Sequence, residues 1–174
     1  RRLFCRPFKE TIMWLRIILG LALYVAIGVD ASKDIVKQIS INFGKPLESC
    51  KQDLNLPEPA LMDFFNFWKE GLELNNRDTG CLIMCLASKL EMLDESLNLH
   101  RGKALEFAHK HGGDEAVAKQ LIDMIHHCDK TAGTTPSDPC TNTLQIARCF
   151  KAEIHKLDWA PDMDLVVGEL LAEG

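Results

Sequence analysis

Alternation of apolar and polar residues at period two is scarce in this chain, which removes the main sequence signal for a β-sheet. Also missing is an unbroken run of the ~20 apolar residues that a membrane-spanning helix needs. Hydrolase signatures are absent: there is no G-x-S-x-G and no H-E-x-x-H. His126-His127-Cys128-Asp129 echoes the His-Asp pair of a secreted phospholipase, but no glycine-rich calcium loop precedes it. A thioredoxin-like redox pair would need C-x-x-C in a βαβ setting, and the chain has neither. No repeat, low-complexity tract or linker divides the 174 residues, a length that suits one domain with a real core. Basic excess is lacking too. The net charge of −5 disfavours nucleic acid and anionic membrane surfaces as partners.

What is present begins with a leader pattern. Met13-Trp14-Leu15-Arg16 precedes the apolar run "IILGLALYVAIG", and small residues stand at Val29 and Ala31. A basic head, a short apolar stretch and small residues at the last and third-last positions predict a secretory signal peptide over 13–31, with 1–12 as an upstream extension outside the fold. Cleavage after Ala31 removes Arg1, Arg2, Arg6, Lys9 and Arg16 together with Glu10 and Asp30. It leaves 15 basic against 23 acidic residues, a net of −8.

Cys5 leaves with the leader, so 32–174 holds six cysteines: Cys50, Cys81, Cys85, Cys128, Cys140 and Cys149. An even count in a secreted chain predicts three disulfides, and spacing alone does not select their pairing. Cys81 and Cys85 share a helix face. With His126, His127 and Cys128 they offer zinc ligands on paper, but secretion argues against thiolate zinc because free thiols would oxidise. Neither a metal nor a cofactor is expected.

The remainder predicts helix after helix. Residues 33–45 carry Ile35, Val36, Ile39 and Phe43 at spacings of three and four, until Gly44 and Pro46 interrupt. "PEPALMDFFNFWKEG" has prolines at its start and Gly71 at its end. Asn76 can cap a helix to about Leu93, and "HRGKALEFAHKHGG" is a short helix ended by paired glycines. Asp114 can cap a helix with Val117, Leu121, Ile122 and Ile125 on one face. After the turn-rich "KTAGTTPSDP", Pro139 suits the first turn of a helix from Cys140 to about Leu157. Phe43, Phe64, Phe65, Phe67, Trp68, Met84, Met92, Phe107 and Phe150 form an excess of aromatic and sulfur-bearing apolar residues. Singly they suit a packed core; together they could line an apolar pocket, and periodicity does not separate the two.

The cysteine framework C-x30-C-x3-C-x42-C-x11-C-x8-C resembles that of insect odorant-binding proteins. The words "DFFNFWKEG", "NRDTGCLIMCL", "GKALEFAHKHG", "AKQLID" and "CFKAEIHKLDWAP" narrow the resemblance to moth pheromone-binding proteins within the PBP/GOBP family, over essentially all of 32–174. The resemblance implies an all-α fold, six to seven helices around an apolar cavity, with bridges Cys50–Cys85, Cys81–Cys140 and Cys128–Cys149. It implies a non-enzymatic extracellular carrier of long-chain unsaturated alcohols, aldehydes or acetates in antennal sensillum lymph. Delivery would be to an olfactory receptor or membrane surface, and assembly as a homodimer is left open. Pocket positions that match the family are Phe43, Phe67, Trp68, Ile83, Ala87, Ser88, Met92, Leu93, Phe107, Ile122, Ile125, Ile146 and Phe150. Some members carry a serine at the position of Ala87, where it meets the ligand's polar head. Ala87 has no hydroxyl, and Ser88 points about 100° around the helix. That leaves aldehydes, acetates or another donor.

By the same resemblance the tail 161–174, "PDMDLVVGELLAEG", becomes a helix at acid pH and enters the cavity, displacing ligand. Read from its residues alone, it is a surface helix or a frayed terminus. Asp162, Asp164 and Glu173 supply the expected pH dependence, because burial disfavours the ionised carboxylate. His100 and His126 match gate positions and would add a trigger at about pH 6. Arg101 follows His100 where many relatives have a second histidine; arginine stays charged, so one proton switch is lost. A secreted helical interaction or signalling protein with a solid core is the alternative from a different class, and a lipid hydrolase is a third.

Overall fold

The computed structural model describes residues 8–132 and 138–172, with side chains over 13–19, 31–132 and 138–172. Eight helices follow in order among them: α1 (Phe8–Gly44), α2 (Leu47–Leu54), α3 (Glu58–Phe65), α4 (Arg77–Lys89), α5 (Arg101–Lys110), α6 (Glu115–Ala132), α7 (Pro139–Lys156) and α8 (Met163–Ala172). The helix predicted from residue 33 is the C-terminal part of α1, which begins at Phe8. In that leading part Met13, Trp14, Leu15, Ile17, Ile18 and Leu19 are exposed, whereas the buried clusters start at Val36.

Local chemistry sets most boundaries. Asn76 caps α4 by accepting from the Asp78 N–H at 3.0 Å, and Asp114 starts α6 by accepting from the Val117 N–H at 2.8 Å. Asp138 caps α7 by accepting from Thr141, with Pro139 in the first turn, where a missing N–H costs nothing. His100 caps α5 through Nδ1, which accepts from the Lys103 N–H at 3.3 Å.

Three boundaries differ from the sequence expectation. α2 is an additional helix; it ends at Asn55, whose φ of 48° is a left-handed cap. α3 stops at Phe65, short of the expected Gly71, because the Asn66 side chain donates to the Met62 carbonyl and the chain turns there. α4 stops at Lys89, not near Leu93, where the Met92 N–H bonds back to the Ala87 carbonyl and Glu91 takes a φ of 56°.

The disulfides are Cys50–Cys85, Cys81–Cys140 and Cys128–Cys149, the pairing the family resemblance implied. They join α2 to α4, α4 to α7 and α6 to α7. At the α4–α7 crossing, a Cβ on Gly80 would stand 2.0 Å from the Cys140 carbonyl oxygen, so only glycine permits this approach. Buried side chains form three neighbouring clusters. One centres on Val36, Trp68, Leu121, Ile154 and Trp159. The second holds Cys50, Leu61, Leu82 and Leu86, and the third Ala87, Met92, Ala104 and Ile122. The protein is all-α, with three interlocking disulfides around an apolar cavity.

Candidate functional site

The cavity has a volume of about 450 Å³, and its lining is mainly apolar. Such a size lies within the range of small-molecule sites, about 300–1,000 Å³. All nine aromatic and sulfur-bearing residues singled out in the sequence line it: Phe43, Phe64, Phe65, Phe67, Trp68, Met84, Met92, Phe107 and Phe150. The aromatics are locked edge to face. Phe67 and Trp68 lie 4.7 Å apart at 89°, and Trp68 and Phe150 5.9 Å apart at 61°. The Trp68 indole N–H donates to Ser40 Oγ at 2.9 Å, and that hydroxyl donates to the Val36 carbonyl at 2.7 Å. This chain satisfies the one polar atom of Trp68 within the protein.

The early end of α3 has a direct consequence here. Phe67 and Trp68 sit in the turn after the helix, and α7 holds that turn down. Lys151 is buried, and its Nζ donates to the Lys69 and Leu72 carbonyls at 2.9 and 2.8 Å. Burial pushes its amine below the usual lysine range. Arg148, one turn earlier, donates to the Leu74 carbonyl and to Asn75 Oδ1.

Of the residues matched to the family pocket, Phe43, Phe67, Trp68, Ile83, Ala87, Met92, Leu93, Phe107, Ile122, Ile125, Ile146 and Phe150 all line the cavity. Ser88 does not, and its assignment is corrected. It is exposed and outside the lining, because one residue step on α4 turns it away from the wall that Ala87 faces. Sequence reasoning missed the polar lining: Ser40, Ser96, Asn98, Asp129, Asp138, Asn142 and Thr143. No periodic signal marks isolated polar residues of this kind. It also left out Val36, Ile39, Met163, Val166, Val167 and Leu170, although these continue helical stripes visible in the sequence.

The residues expected to respond to pH are scattered. His126 lines the cavity, and its Nε2 is buried without a hydrogen-bond partner among the described residues. His100 is exposed and occupied in capping α5. Arg101 pairs with Asp123 at 2.5 Å, tying α5 to α6. Hydrogen bonds from Lys119 and then Arg101 lower the Asp123 carboxyl to about 2. Asp162 and Asp164 are exposed, and Asp162 accepts from the Asp164 N–H at 2.8 Å as α8 begins. Glu173 lies outside the described residues. Behind the cavity wall, the His111 ring lies 4.6 Å from that of Phe107. Burial, then Lys110 and Lys45, hold its pKa below the usual histidine value.

The tail segment forms α8 and contributes wall. Met163, Val166, Val167 and Leu170, spaced as one helical face, line the cavity, while Leu165 and Leu171 are exposed. Leu170 packs against Gly44 at the end of α1, where an added Cβ would stand 3.1 Å from its Cδ2. Lys37 bridges to Glu169 at 3.2 Å, and Lys33 to Asp158 at 3.2 Å. Among the described residues no helix is long and apolar enough to cross a membrane. All six cysteines from Cys50 onward are in disulfides, so Cys81 and Cys85 are not thiolate ligands.

Comparison with known proteins agrees with this architecture. The PBP/GOBP family profile matches residues 32–153. Pheromone-binding protein 2 of Epiphyas postvittana is 46% identical, the alignment covering 95% of this chain and 97% of that one. General odorant-binding protein 1 of Bombyx mori is 30% identical, covering 92% of this chain and 97% of its own. Among solved structures, the crystal structure of Epiphyas postvittana pheromone-binding protein 3 superposes with a TM-score of 0.60 at 46% identity. It covers 67% of this chain and 98% of its own. On its cysteine framework, its cavity and these matches together, the chain belongs to the PBP/GOBP family.

Proposed function

We propose that residues 32–174 form an extracellular, non-enzymatic carrier of long-chain hydrophobic semiochemicals, with 13–31 as a cleaved signal peptide and 1–12 outside the native protein. The observation that carries this reading is the cavity of about 450 Å³, its aromatic wall fixed by hydrogen bonds and disulfides. Burying an alkyl chain gives about 0.8 kcal/mol per methylene, so a long chain readily reaches micromolar affinity in such walls. Named relatives that bind pheromones or odorants support the ligand class. Twelve of the thirteen family-matched pocket residues stand in the lining and are the proposed ligand contacts. Carriage through sensillum lymph to an olfactory receptor or membrane surface completes the proposal. A solid-core signalling protein would lack the cavity.

Release on acidification is part of the same reading. α8 already supplies one wall, so inward movement of its Met163–Leu170 face would compete with ligand for the same space. Asp162, Asp164 and Glu173 would oppose that movement while ionised, and His100 and His126 would add a response at about pH 6.

Displacement of a fluorescent apolar probe by a panel of long-chain compounds at neutral and acid pH, read alongside native mass spectrometry, tests the carrier and its stoichiometry. Stoichiometric, competable binding at neutral pH is expected, and a protein that takes up no probe would end the reading. Truncation after Pro161 should preserve binding at acid pH. If acid still abolishes binding in the truncated chain, α8 is not the displacing element.

A further inference from the structure

Phe67 and Trp68 differ from the rest of the aromatic wall in standing outside a helix, whereas its other phenylalanines are carried by α1, α3, α5 and α7. They belong to residues 66–76, which run between α3 and α4 and contain no cysteine. The outer side of this stretch is exposed at Lys69, Glu70, Gly71 and Glu73, and Gly71 takes a φ of 74°. An irregular, largely exposed segment moves unless something packed against it holds its backbone. α7 supplies that hold. Phe150 packs its ring against that of Trp68, and the next residue, Lys151, is only 8% exposed. Its Nζ donates to the Lys69 and Leu72 carbonyls at 2.9 and 2.8 Å. The first of these carbonyls belongs to the residue after Trp68, and the pair spans the turn at Gly71. Burying an ammonium disfavours the fold unless hydrogen bonds compensate it, and both of these bonds go to one turn. Lys151 itself is not part of the lining.

We propose that Lys151 is a positioning residue for ligand selection: by holding the turn it fixes where Phe67 and Trp68 stand, and so sets the longest alkyl chain the cavity accepts. This assignment rests on the carrier reading and adds to it a determinant of chain length. The physical reason is that a cavity discriminates by size only where its walls do not yield. Helical walls are held by their own hydrogen bonds and by their neighbours. The wall at Phe67 and Trp68 is held from outside the cavity, by the Lys151 bonds and the Phe150 ring, and on its inner side by the bond from the Trp68 indole N–H to Ser40. Without the Lys151 bonds the turn is free to shift outward, and a longer chain finds room.

The test measures displacement of a fluorescent apolar probe by primary alcohols of increasing chain length. It uses the full chain as wild type, Lys151→Met and Asp114→Ala, with folding checked by circular dichroism. In the wild type, affinity is expected to rise about fourfold per methylene and to fall once the alcohol outgrows the cavity. In Lys151→Met that fall should shrink by about tenfold, so that alcohols beyond the wild-type optimum bind relatively better. Asp114→Ala weakens the fold at the start of α6, outside the lining, and should keep the wild-type profile. A second readout is hydrogen exchange of the Trp68 indole N–H, followed by NMR on isotopically labelled tryptophan and assigned with Trp68→Phe. Exchange should quicken about tenfold more in Lys151→Met than in Asp114→Ala at equal loss of melting temperature. A wild-type length profile in Lys151→Met, an equal change in Asp114→Ala, or a wild type with no optimum each overturns the assignment while the carrier stands. If Lys151→Met does not fold, Lys151→Gln, which keeps amide donors on a shorter stem, takes its place, and a wild-type profile there counts equally against the assignment. If no alcohol displaces the probe from the wild type, the carrier reading fails and the assignment falls with it.

Discussion

Arg101 occupies a position where the family resemblance expects histidine, and the structure gives it a partner. Its guanidinium holds Asp123 at 2.5 Å, and Lys119 and Arg101 together lower that carboxyl to about 2. A carboxyl whose folded pKa lies below its unfolded value, about 3.9, contributes stability that is present above the unfolded pKa and is lost as pH falls through the folded one. The Arg101–Asp123 link is therefore unchanged between pH 7 and 5, the window in which histidine titrates. Arg101→His should make ligand binding more steeply pH-dependent across that window, as read by probe titrations. An unchanged profile would refute a gating role for this position. Lys151 is a second residue whose effect is local and measurable. Lys151→Met leaves the Lys69 and Leu72 carbonyls without their donor and is expected to cost about 1–3 kcal/mol in thermal or denaturant unfolding. Neither pairing could be read from the sequence, because each joins side chains to distant backbone or to another helix.

At the scale of elements, the closest contact is the crossing of α4 over α7. Gly80 lets the two backbones meet beside the Cys81–Cys140 bridge, and a methyl group there runs into the Cys140 carbonyl. Gly80→Ala should destabilise by roughly 1–3 kcal/mol or more, since backbone on both sides has to move. For a chain of this size that lowers the melting temperature by roughly 3–10 °C, measurable by calorimetry. Sequence patterning did identify the helices that carry long stripes and capping residues, as with Asn76, Asp114 and Pro139. It missed α2, whose eight residues are too few for a periodic signal, and it overran α3, because the pattern of apolar residues continues past the turn at Asn66. The overrun matters for function, since Phe67 and Trp68 reach the cavity from that turn.

For the molecule as a whole, the disulfides close loops with sequence separations of 35, 59 and 21 residues. In the chain-entropy picture each is worth about 3–4 kcal/mol, against a total stability of about 5–15 kcal/mol for an ordinary domain. A fold built around a cavity forgoes some core packing, and the bridges offset that loss. Reduction at neutral pH is expected to abolish probe binding together with cooperative unfolding, followed by circular dichroism and probe fluorescence. Peptide mapping without reduction should return the three pairs seen here.

The sequence by itself determined the helical class, the framework of six cysteines from Cys50 to Cys149 and, through its spacing and shared words, the family. These are properties of local periodicity and of residue order, which a linear chain carries in full. Tertiary structure decided which apolar residues surround space and which fill it, a distinction that composition and period do not encode. It also decided which polar groups end up buried. Asn142 and His126 look like ordinary helix residues in the chain, and only the packing of their neighbours buries Asn142 Oδ1 and His126 Nε2, neither with a hydrogen-bond partner among the described residues.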